Sequence, residues 1–148
     1  MDEIDYEIIR ALQADGRMSW TELGKTVGLS TPAVNERVKK LEDRGVIEGY
    51  RAVINPAAIE KTIMAIMMFE QTRCAAFIAF CKDHPDVVEC HRLAGTFNFM
   101  VKLYTPSVET LETFIDASMK YGKPSTWIRL SSPVAFKAFT VGNSVLIK

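Results

Sequence analysis

The sequence predicts an α+β protein in which a small all-helical unit precedes a unit of alternating strands and helices. Over residues 1–45, apolar residues recur at the three- and four-residue spacing of amphipathic helices. Beyond residue 62, short runs rich in β-branched and aromatic residues alternate with helical segments. With 48% hydrophobic and 24% charged residues, the 148-residue chain has enough apolar material to build compact cores. We therefore expect a globular chain of two domains.

Three amphipathic helices are predicted in the first of these domains. Asp2 or Asp5 can cap the first helix, and Ser19-Trp20-Thr21-Glu22 is a capping box that starts the second. The second helix ends at a glycine, and the third begins at a fresh serine cap. Because only Gly28-Leu29-Ser30 separates these two helices, they cannot pack antiparallel and must meet at a steep angle. This is the geometry of a helix-turn-helix unit.

The third helix is the predicted reader of DNA. Its apolar stripe is narrow, formed by Val34, Val38 and Leu41, so several polar side chains face away from the core. An asparagine there can pair with an adenine edge, and basic side chains can contact guanine or phosphate. The free N–H groups at helix starts can also face phosphates. The candidate DNA-binding residues are Ser19, Ser30, Thr31, Asn35, Arg37, Lys39 and Lys40.

The charge balance of the first domain does not by itself favour nucleic acid. The net charge is zero, and residues 1–51 carry eight Lys and Arg against ten Asp and Glu. A solvated charged face is the commoner use of such residues on a surface helix, and capping alone also explains the two serines. Nevertheless, Arg37, Lys39 and Lys40 cluster on one helix, and local placement matters more than the sum.

The second domain is predicted as a ferredoxin-like arrangement. Residues 46–54 have the character of a strand or an extended ribbon, and Asn55-Pro56 breaks that segment. The order that follows is strand, helix, strand, strand, helix, strand, over residues 63–70, 74–83, 87–93, 97–104, 107–120 and 126–130. Residues 134–147 also look strand-like, with Gly142-Asn143 as a turn signal. We expect a winged-helix-like helix-turn-helix domain at 1–50, a linker strand at 51–61 and a ferredoxin-like βαββαβ domain at 62–148.

Few features of the chain suggest catalysis, a metal site or a membrane. His84 and His91 belong to no motif that joins a nucleophile to a base. The three cysteines are odd in number and form no CxxC pair, so neither a disulfide framework nor a zinc site is indicated. The longest apolar run, residues 63–69, is far below the roughly 20 residues that cross a bilayer, and the acidic start is wrong for a signal peptide. We expect a cytoplasmic protein that is not an enzyme.

Several short motifs occur in a consistent order along the chain. They include Asp2-Glu3-Ile4-Asp5, Asp15-Gly16-Arg17-Met18-Ser19, Val27-Gly28-Leu29-Ser30, Gly45-Val46-Ile47 and, more loosely, Ala94-Gly95-Thr96-Phe97-Asn98-Phe99. In these motifs the chain resembles the Lrp/AsnC family of feast/famine regulators over nearly its whole length. The resemblance implies a transcription regulator whose second domain dimerises, assembles further to octamers and binds an effector near the glycine turn at a subunit interface.

The glycine turn supplies the candidate effector-binding residues. Glycine permits close backbone approach, and Thr96 and Asn98 offer neutral hydrogen-bonding groups, although the same residues also suit a plain hairpin turn. The family usually has aspartate where this chain has Asn98, and a neutral amide gives no counter-charge to the amino group of an amino acid. The candidates are Gly95, Thr96, Phe97, Asn98 and Thr126, with an amino acid or related small metabolite as the expected effector.

The predicted function is therefore sequence-specific regulation of transcription, with double-stranded DNA and further copies of the chain as partners. A sheet rich in Met64, Met67, Phe69 and Phe99 is expected to need cover from a second subunit. Two alternatives remain. One is a metabolic enzyme with a ferredoxin-like substrate domain and a helical head for oligomerisation. The other is an architectural DNA-binding protein without a ligand.

Overall fold

A computed structural model describes residues 1–142, which form two compact units. The unit that we call the head combines Met1–Val53 with the described residues from Val134 onward. The unit that we call the body is Ile54–Pro133. Our predicted second domain ran from residue 62 to 148, whereas the structure places residues 134–142 with the head. Within residues 1–142, no helix is both long and apolar enough to cross a membrane.

The head contains the three predicted helices. They are α1 (Glu3–Ala14), α2 (Trp20–Val27) and α3 (Thr31–Asp43). Asp2, Ser19 and Ser30 cap them, and each cap side chain accepts a hydrogen bond from a backbone N–H of the first turn. Gly28 ends α2 in the left-handed conformation, with φ of 71°. The predicted helices and caps are thus confirmed.

The three helices bury a single apolar cluster. Its members are Ile8, Leu12, Leu23, Val27, Val34, Val38 and Leu41. The turn between α2 and α3 folds tightly onto α2 at Gly24, where a Cβ atom would lie 2.6 Å from the carbonyl oxygen of Leu29. A side chain cannot fit there, so Gly24 permits the close approach that fixes the angle between the two helices.

Residues 134–142 run along α1 as a segment bound by its backbone. Gln13 donates from Nε2 to the carbonyl oxygen of Phe139 at 3.0 Å and accepts at Oε1 from the Phe139 N–H at 2.8 Å. Arg10 donates from Nη1 to the carbonyl oxygen of Val141 at 3.2 Å. Residues 134–142 form no strand, contrary to our prediction, and Asn143 to Ile147 lie outside the described residues.

The segment at residues 46–54 is not a strand in the structure, although its β-branched character predicted a strand or an extended ribbon. A strand needs a neighbour for its backbone N–H and C=O groups, and this segment pairs with no strand among residues 1–142. Val53 is 98% exposed as a result. The predicted break at Asn55-Pro56 is present, because Asn55 caps a short 3-10 helix, Pro56–Ile59.

The body has the predicted βαββαβ order. Its elements are β1 (Ile63–Glu70), α4 (Cys74–Asp83), β2 (Val87–Arg92), β3 (Phe99–Thr105), α5 (Val108–Met119) and β4 (Lys123–Ile128). The strands form one antiparallel sheet in the order β2-β3-β1-β4. β4 begins three residues before the predicted start at Thr126 and includes Pro124. An edge strand such as β4 tolerates the missing N–H.

The two faces of the sheet differ in cover. The inner face packs on α4 and α5 and contributes Ala65, Met67, Phe69, Phe99, Val101 and Leu103 to the core. We expected Met67, Phe69 and Phe99 to need cover from another subunit, and this was wrong, because the helices of the same chain bury them. Successive side chains of a strand alternate between faces, so the outer face carries the apolar residues Met64, Ile66, Met68, Met100 and Trp127.

Candidate DNA interface and effector region

An exposed line of polar side chains runs along α3. Thr31, Asn35 and Lys39 are spaced four residues apart, so they lie above one another on one side of the helix. All three are exposed, whereas Val34 and Val38, on the neighbouring side that faces the helical cluster, are buried. The fold therefore places three of the predicted DNA-binding residues where they can reach a ligand together.

The two serine caps present different electrostatic surroundings. Glu22 follows Ser19 in the first turn of α2 and accepts from its hydroxyl at 2.7 Å and from its backbone N–H at 3.0 Å. These hydrogen bonds lower the pKa of the Glu22 carboxyl, which keeps a negative charge at the start of α2. The first turn of α3 after Ser30 contains no acidic residue. The positive end of the α3 dipole is thus the better site for a phosphate.

Arg37 lies between α3 and α1 rather than projecting freely. Its Nη1 atom donates to Asp2 Oδ2 and to Asp5 Oδ1, each at 2.8 Å. The hydrogen bonds to Asp2 and Asp5 raise the pKa of Arg37. The backbone N–H of Asp5 and the Arg37 guanidinium together lower the pKa of Asp2. The structure therefore uses Arg37 to join two helices of the head.

The two lysines of α3 differ in their partners. Lys40 donates from Nζ to Glu36 Oε1 at 2.6 Å, and this hydrogen bond lowers the pKa of Glu36. Both side chains are about two-thirds exposed, at 67% and 69%, so water screens the pair and a phosphate can replace the carboxylate. Lys39 forms no ion pair within residues 1–142. Both lysines are available to DNA.

Two residues that sequence reasoning missed adjoin this surface. The Thr21 hydroxyl of α2 lies 3.4 Å from that of Thr31, which links the start of α2 to the start of α3. Arg44 lines a polar cleft of about 330 Å³ together with Arg37 and Lys40. Arg44 could have been found in the sequence, because it follows Lys40 by four residues and so shares its side of the helix.

The candidate effector residues of the glycine turn meet two other loops at one end of the sheet. Asn98 joins them. Its backbone N–H donates to the Phe69 carbonyl and its carbonyl accepts from the Leu93 N–H, both at 2.7 Å. Its Oδ1 accepts from the backbone N–H and the hydroxyl of Thr72, both at 3.4 Å. The loop after β1 is also tied to the loop after α5, through a hydrogen bond from Arg73 N–H to the Tyr121 carbonyl at 2.8 Å.

The other candidate effector residues differ in exposure and in position. Gly95 and Thr96 are exposed, Phe97 is half-buried, and Gly95 adopts a φ of 140° that side chains with a Cβ rarely tolerate. Thr126 lies elsewhere. It pairs with Met67 on the inner side of β4, three residues beyond Lys123, which is roughly 10 Å along a strand. The structure thus brings Gly95 to Asn98 together but does not bring Thr126 to them.

Gly122 is a further residue of this region that sequence reasoning missed. A Cβ atom at Gly122 would lie 2.7 Å from Thr72 Cγ2 and 2.9 Å from the Glu70 carbonyl oxygen. The glycine lets the loop after α5 approach the loop after β1 closely. No sequence signal marked it, since the contact joins residues about fifty positions apart.

Both units match models of known domains. Residues 1–42 match the AsnC-type helix-turn-helix domain, and residues 62–135 match the Lrp/AsnC ligand binding domain. The chain belongs to the Lrp/AsnC family. Its relatives include an uncharacterized HTH-type transcriptional regulator of Bacillus subtilis, YezC, which is 48% identical over 94% of this chain and all of its own length.

Solved structures of Lrp/AsnC regulators have the same fold. LrpC of Bacillus subtilis is 30% identical and superimposes with a TM-score of 0.86 over 92% of this chain and 99% of its own. A transcriptional regulator of Neisseria meningitidis, in complex with L-Met, is 22% identical and has a TM-score of 0.87 over 95% of this chain and 96% of its own. The predicted family, α+β fold and role as an Lrp/AsnC-type transcription regulator are confirmed, and the relatives are regulators of transcription.

Proposed function

We propose that the head binds double-stranded DNA in a sequence-specific manner through the exposed side of α3. The observation that carries this proposal is the line of Thr31, Asn35 and Lys39 on a helix whose first turn contains no acidic residue. Asn35 pairs with a base edge in the major groove, and Lys39 and Lys40 contact phosphates. The start of α3 at Ser30 faces the backbone of the same duplex.

The roles within this interface are unequal. Arg37 supports the interface by holding α3 on α1 and does not read bases, because two carboxylates already occupy its Nη1 atom. Ser19 acts as a helix cap, and Glu22 beside it keeps phosphates away from the start of α2 by charge repulsion. Direct readout therefore falls to α3 alone, as in other helix-turn-helix proteins.

The body binds an amino acid or a related small metabolite at the end of the sheet near Gly95. Support comes from the match to the ligand binding domain and from the complex of the Neisseria meningitidis regulator with L-Met. Asn98 is held by Thr72, so the exposed backbone around Gly95 and the Thr96 hydroxyl are the groups that contact the effector. The protein needs no cofactor and performs no catalysis in this role.

The outer face of the sheet joins subunits. Ile66 and Trp127 are paired across β1 and β4 and are 37% and 52% exposed, and methionines surround them. Lys102 is paired with Ile66 on the same face, so the apolar part is a patch over β1 and β4, and cover from a second copy stabilises such a patch. We infer a dimer that assembles further, to the octamer that the family resemblance predicts. The regulator acts in the cytoplasm, where its DNA is.

The test is binding to labelled DNA from upstream of the protein's own coding sequence, measured by fluorescence anisotropy. Asn35→Ala should weaken binding to this DNA about tenfold or more, because a bidentate base contact contributes roughly 1–3 kcal/mol of discrimination. Gln71→Ala, an exposed amide in the body, is the matched control and should bind as wild type does. If the Asn35 variant binds as tightly as the control, α3 does not read this DNA.

A further inference from the structure

Two of the three cysteines face each other inside the body. Cys81 lies in the last turn of α4, one turn after Phe77, and both side chains are buried against the sheet, with Cys81 only 4% exposed. Cys90 lies on β2, the strand that follows α4 after a short connection. Both cysteines belong to the same apolar cluster.

The strand register orients Cys90 toward α4. Cys90 is paired with Val101 of β3, whose side chain is fully buried on the inner face. Directly paired residues of antiparallel strands project to the same face, so the Cys90 side chain also points into the helix layer. The two sulfurs are close enough to interact. Burial together with the neighbouring Cys90 raises the pKa of the Cys81 thiol to about 12.

We propose that Cys81 and Cys90 form an oxidisable thiol pair that a peroxide converts into one disulfide within the body of a single chain. This site is separate from the glycine turn, which lies in the loop beyond the end of β2. The disulfide would tie the end of α4 to β2 and so lock together two elements of the ligand binding domain.

The reaction balances in two steps. The Cys90 sulfur is the more exposed, so it attacks the peroxide first, becomes a sulfenic acid and releases one molecule of water or alcohol. The Cys81 sulfur then attacks that sulfenic sulfur, the S–S bond forms, and the hydroxyl leaves as water with the thiol proton. In sum, two thiols are oxidised and one peroxide is reduced.

The surroundings predict a slow reaction. The thiolate is the attacking species, and burial raises the pKa of both thiols, so few molecules carry a thiolate at neutral pH. The rate should therefore increase with pH. Cys74 offers an internal control. It lies on α4 two turns before Cys81, and its Sγ contacts the carbonyl oxygen of Thr72 at 3.6 Å.

The experiment treats the folded full chain with hydrogen peroxide, blocks remaining thiols with N-ethylmaleimide and measures the intact mass. The wild type should lose two hydrogen atoms and take up one maleimide, and peptide mapping should find Cys81 joined to Cys90. Cys74→Ser should form the same bond and take up no maleimide. Dithiothreitol should restore both thiols.

Two cysteine-to-serine variants complete the test of the proposed disulfide. Cys90→Ser and Cys81→Ser should each fail to form a bond within the chain, with circular dichroism reporting that they fold. The peptide map of the wild type tests the proposal even if these variants do not fold. Three labelled thiols after prolonged oxidation at pH 9, a bond that includes Cys74, or a disulfide between two chains would each overturn the proposal.

Discussion

The guanidinium of Arg37 on α3 is bound by the carboxylate of Asp5 on α1, with 2.8 Å between Nη1 and Oδ1. The Asp5 side chain is only 13% exposed, so water cannot replace this partner easily. A residue that the sequence suggested as a DNA contact therefore links two helices of the head. Substitution of Arg37 therefore tests the stability of the head, whereas substitution of the exposed lysines of α3 tests DNA contacts.

Arg37→Ala should lower the melting temperature of the protein by a few degrees, because the Asp5 carboxylate loses its partner and stays partly buried. Asp5→Asn, which removes the charge but keeps the shape, should also lower it. Lys39→Ala is the control and should melt as wild type does, since its side chain is exposed. Thermal unfolding followed by circular dichroism measures all three. An unchanged melting temperature for Arg37→Ala would mean that the ion pair with Asp5 does not stabilise the head, so Arg37 would be available to contact DNA.

The salt dependence of DNA binding should report the two lysines of α3. Each phosphate contact contributes about −0.9 to the slope of log affinity against log salt concentration, so Lys39→Ala and Lys40→Ala should each make the slope shallower by about 0.9. Lys82→Ala, an exposed lysine of α4 in the body, is the matched control. Slopes equal to that of the control in both variants would remove these lysines from the interface.

Tyr50 gives the head a pH dependence in the alkaline range. Its hydroxyl donates to Glu42 Oε1 at 3.0 Å, and partial burial of the phenol, together with this carboxylate, raises its pKa from the ordinary value of 10.0 to about 12. The folded state favours the neutral phenol. This contribution to stability is complete below about pH 10 and is lost as the pH rises from about 10 to about 12.

The measurement is the ultraviolet absorbance of the phenolate, with Tyr50→Phe to assign the signal by difference. Glu42→Gln should bring the pKa of Tyr50 part of the way down, because the charge is removed while the burial stays. A native protein in which every tyrosine titrates at the denatured value would contradict this prediction.

Asn98→Asp should strengthen the binding of free amino acids. The aspartate keeps the acceptor that Thr72 uses and restores a negative charge near the amino group of the ligand. Isothermal titration calorimetry with an amino-acid panel that includes L-Met compares it with wild type. Equal affinities for every ligand that the wild type binds would place the amino group away from Asn98.

Gly95→Val should weaken effector binding, with little change in DNA affinity when no effector is present. The position has a φ of 140°, so any side chain also strains the loop, and the melting temperature must be measured beside the affinity. Thr96→Ala removes a hydroxyl without that strain. If the valine variant binds an amino acid as well as wild type does, the turn is only structural.

Gln13→Ala should loosen the attachment of Phe139 to α1. Two hydrogen bonds join the Gln13 amide to the backbone of Phe139, so the Phe139 N–H should exchange its hydrogen faster in the variant. Gln13→Glu tests the two hydrogen bonds separately. The glutamate keeps the oxygen that accepts from the Phe139 N–H, but its second negative oxygen repels the Phe139 carbonyl oxygen. Asn35→Ala should leave this exchange unchanged. Equal exchange in all three variants would mean that Gln13 does not hold the segment.

The helices of the head could be predicted because their signals are local. Capping boxes, a serine followed by proline and a glycine at a helix end act within one turn of backbone, so Ser19 and Gly28 set boundaries that the structure retains. The βαββαβ order of the elements in the body followed from local runs and turn residues in the same way. The predicted start of β4 at Thr126 was late, because whether Pro124 fits in a strand depends on which edge of the sheet it occupies.

The site was predicted less completely than the fold. The sequence placed Arg37 on a shoulder of α3, but its pairing with Asp2 and Asp5 joins residues more than thirty positions apart. Thr126 was a candidate because it lies near the last strand, but the structure places it away from the glycine turn. Contacts between distant segments depend on tertiary packing, which single-residue patterns do not encode.

The attachment of residues 134–142 to α1 has a consequence for how the protein is made. The hydrogen bonds of Gln13 and Arg10 join residues 126 and 131 positions apart, and the whole body lies between them in the chain. On the ribosome, the three helices emerge first, but their last partner is synthesised only after the sheet. A nascent chain halted at Pro133 would carry an unfinished head with one side of α1 uncovered. The head therefore gains its last contacts only after the body has been synthesised, although its first residue is translated before the body.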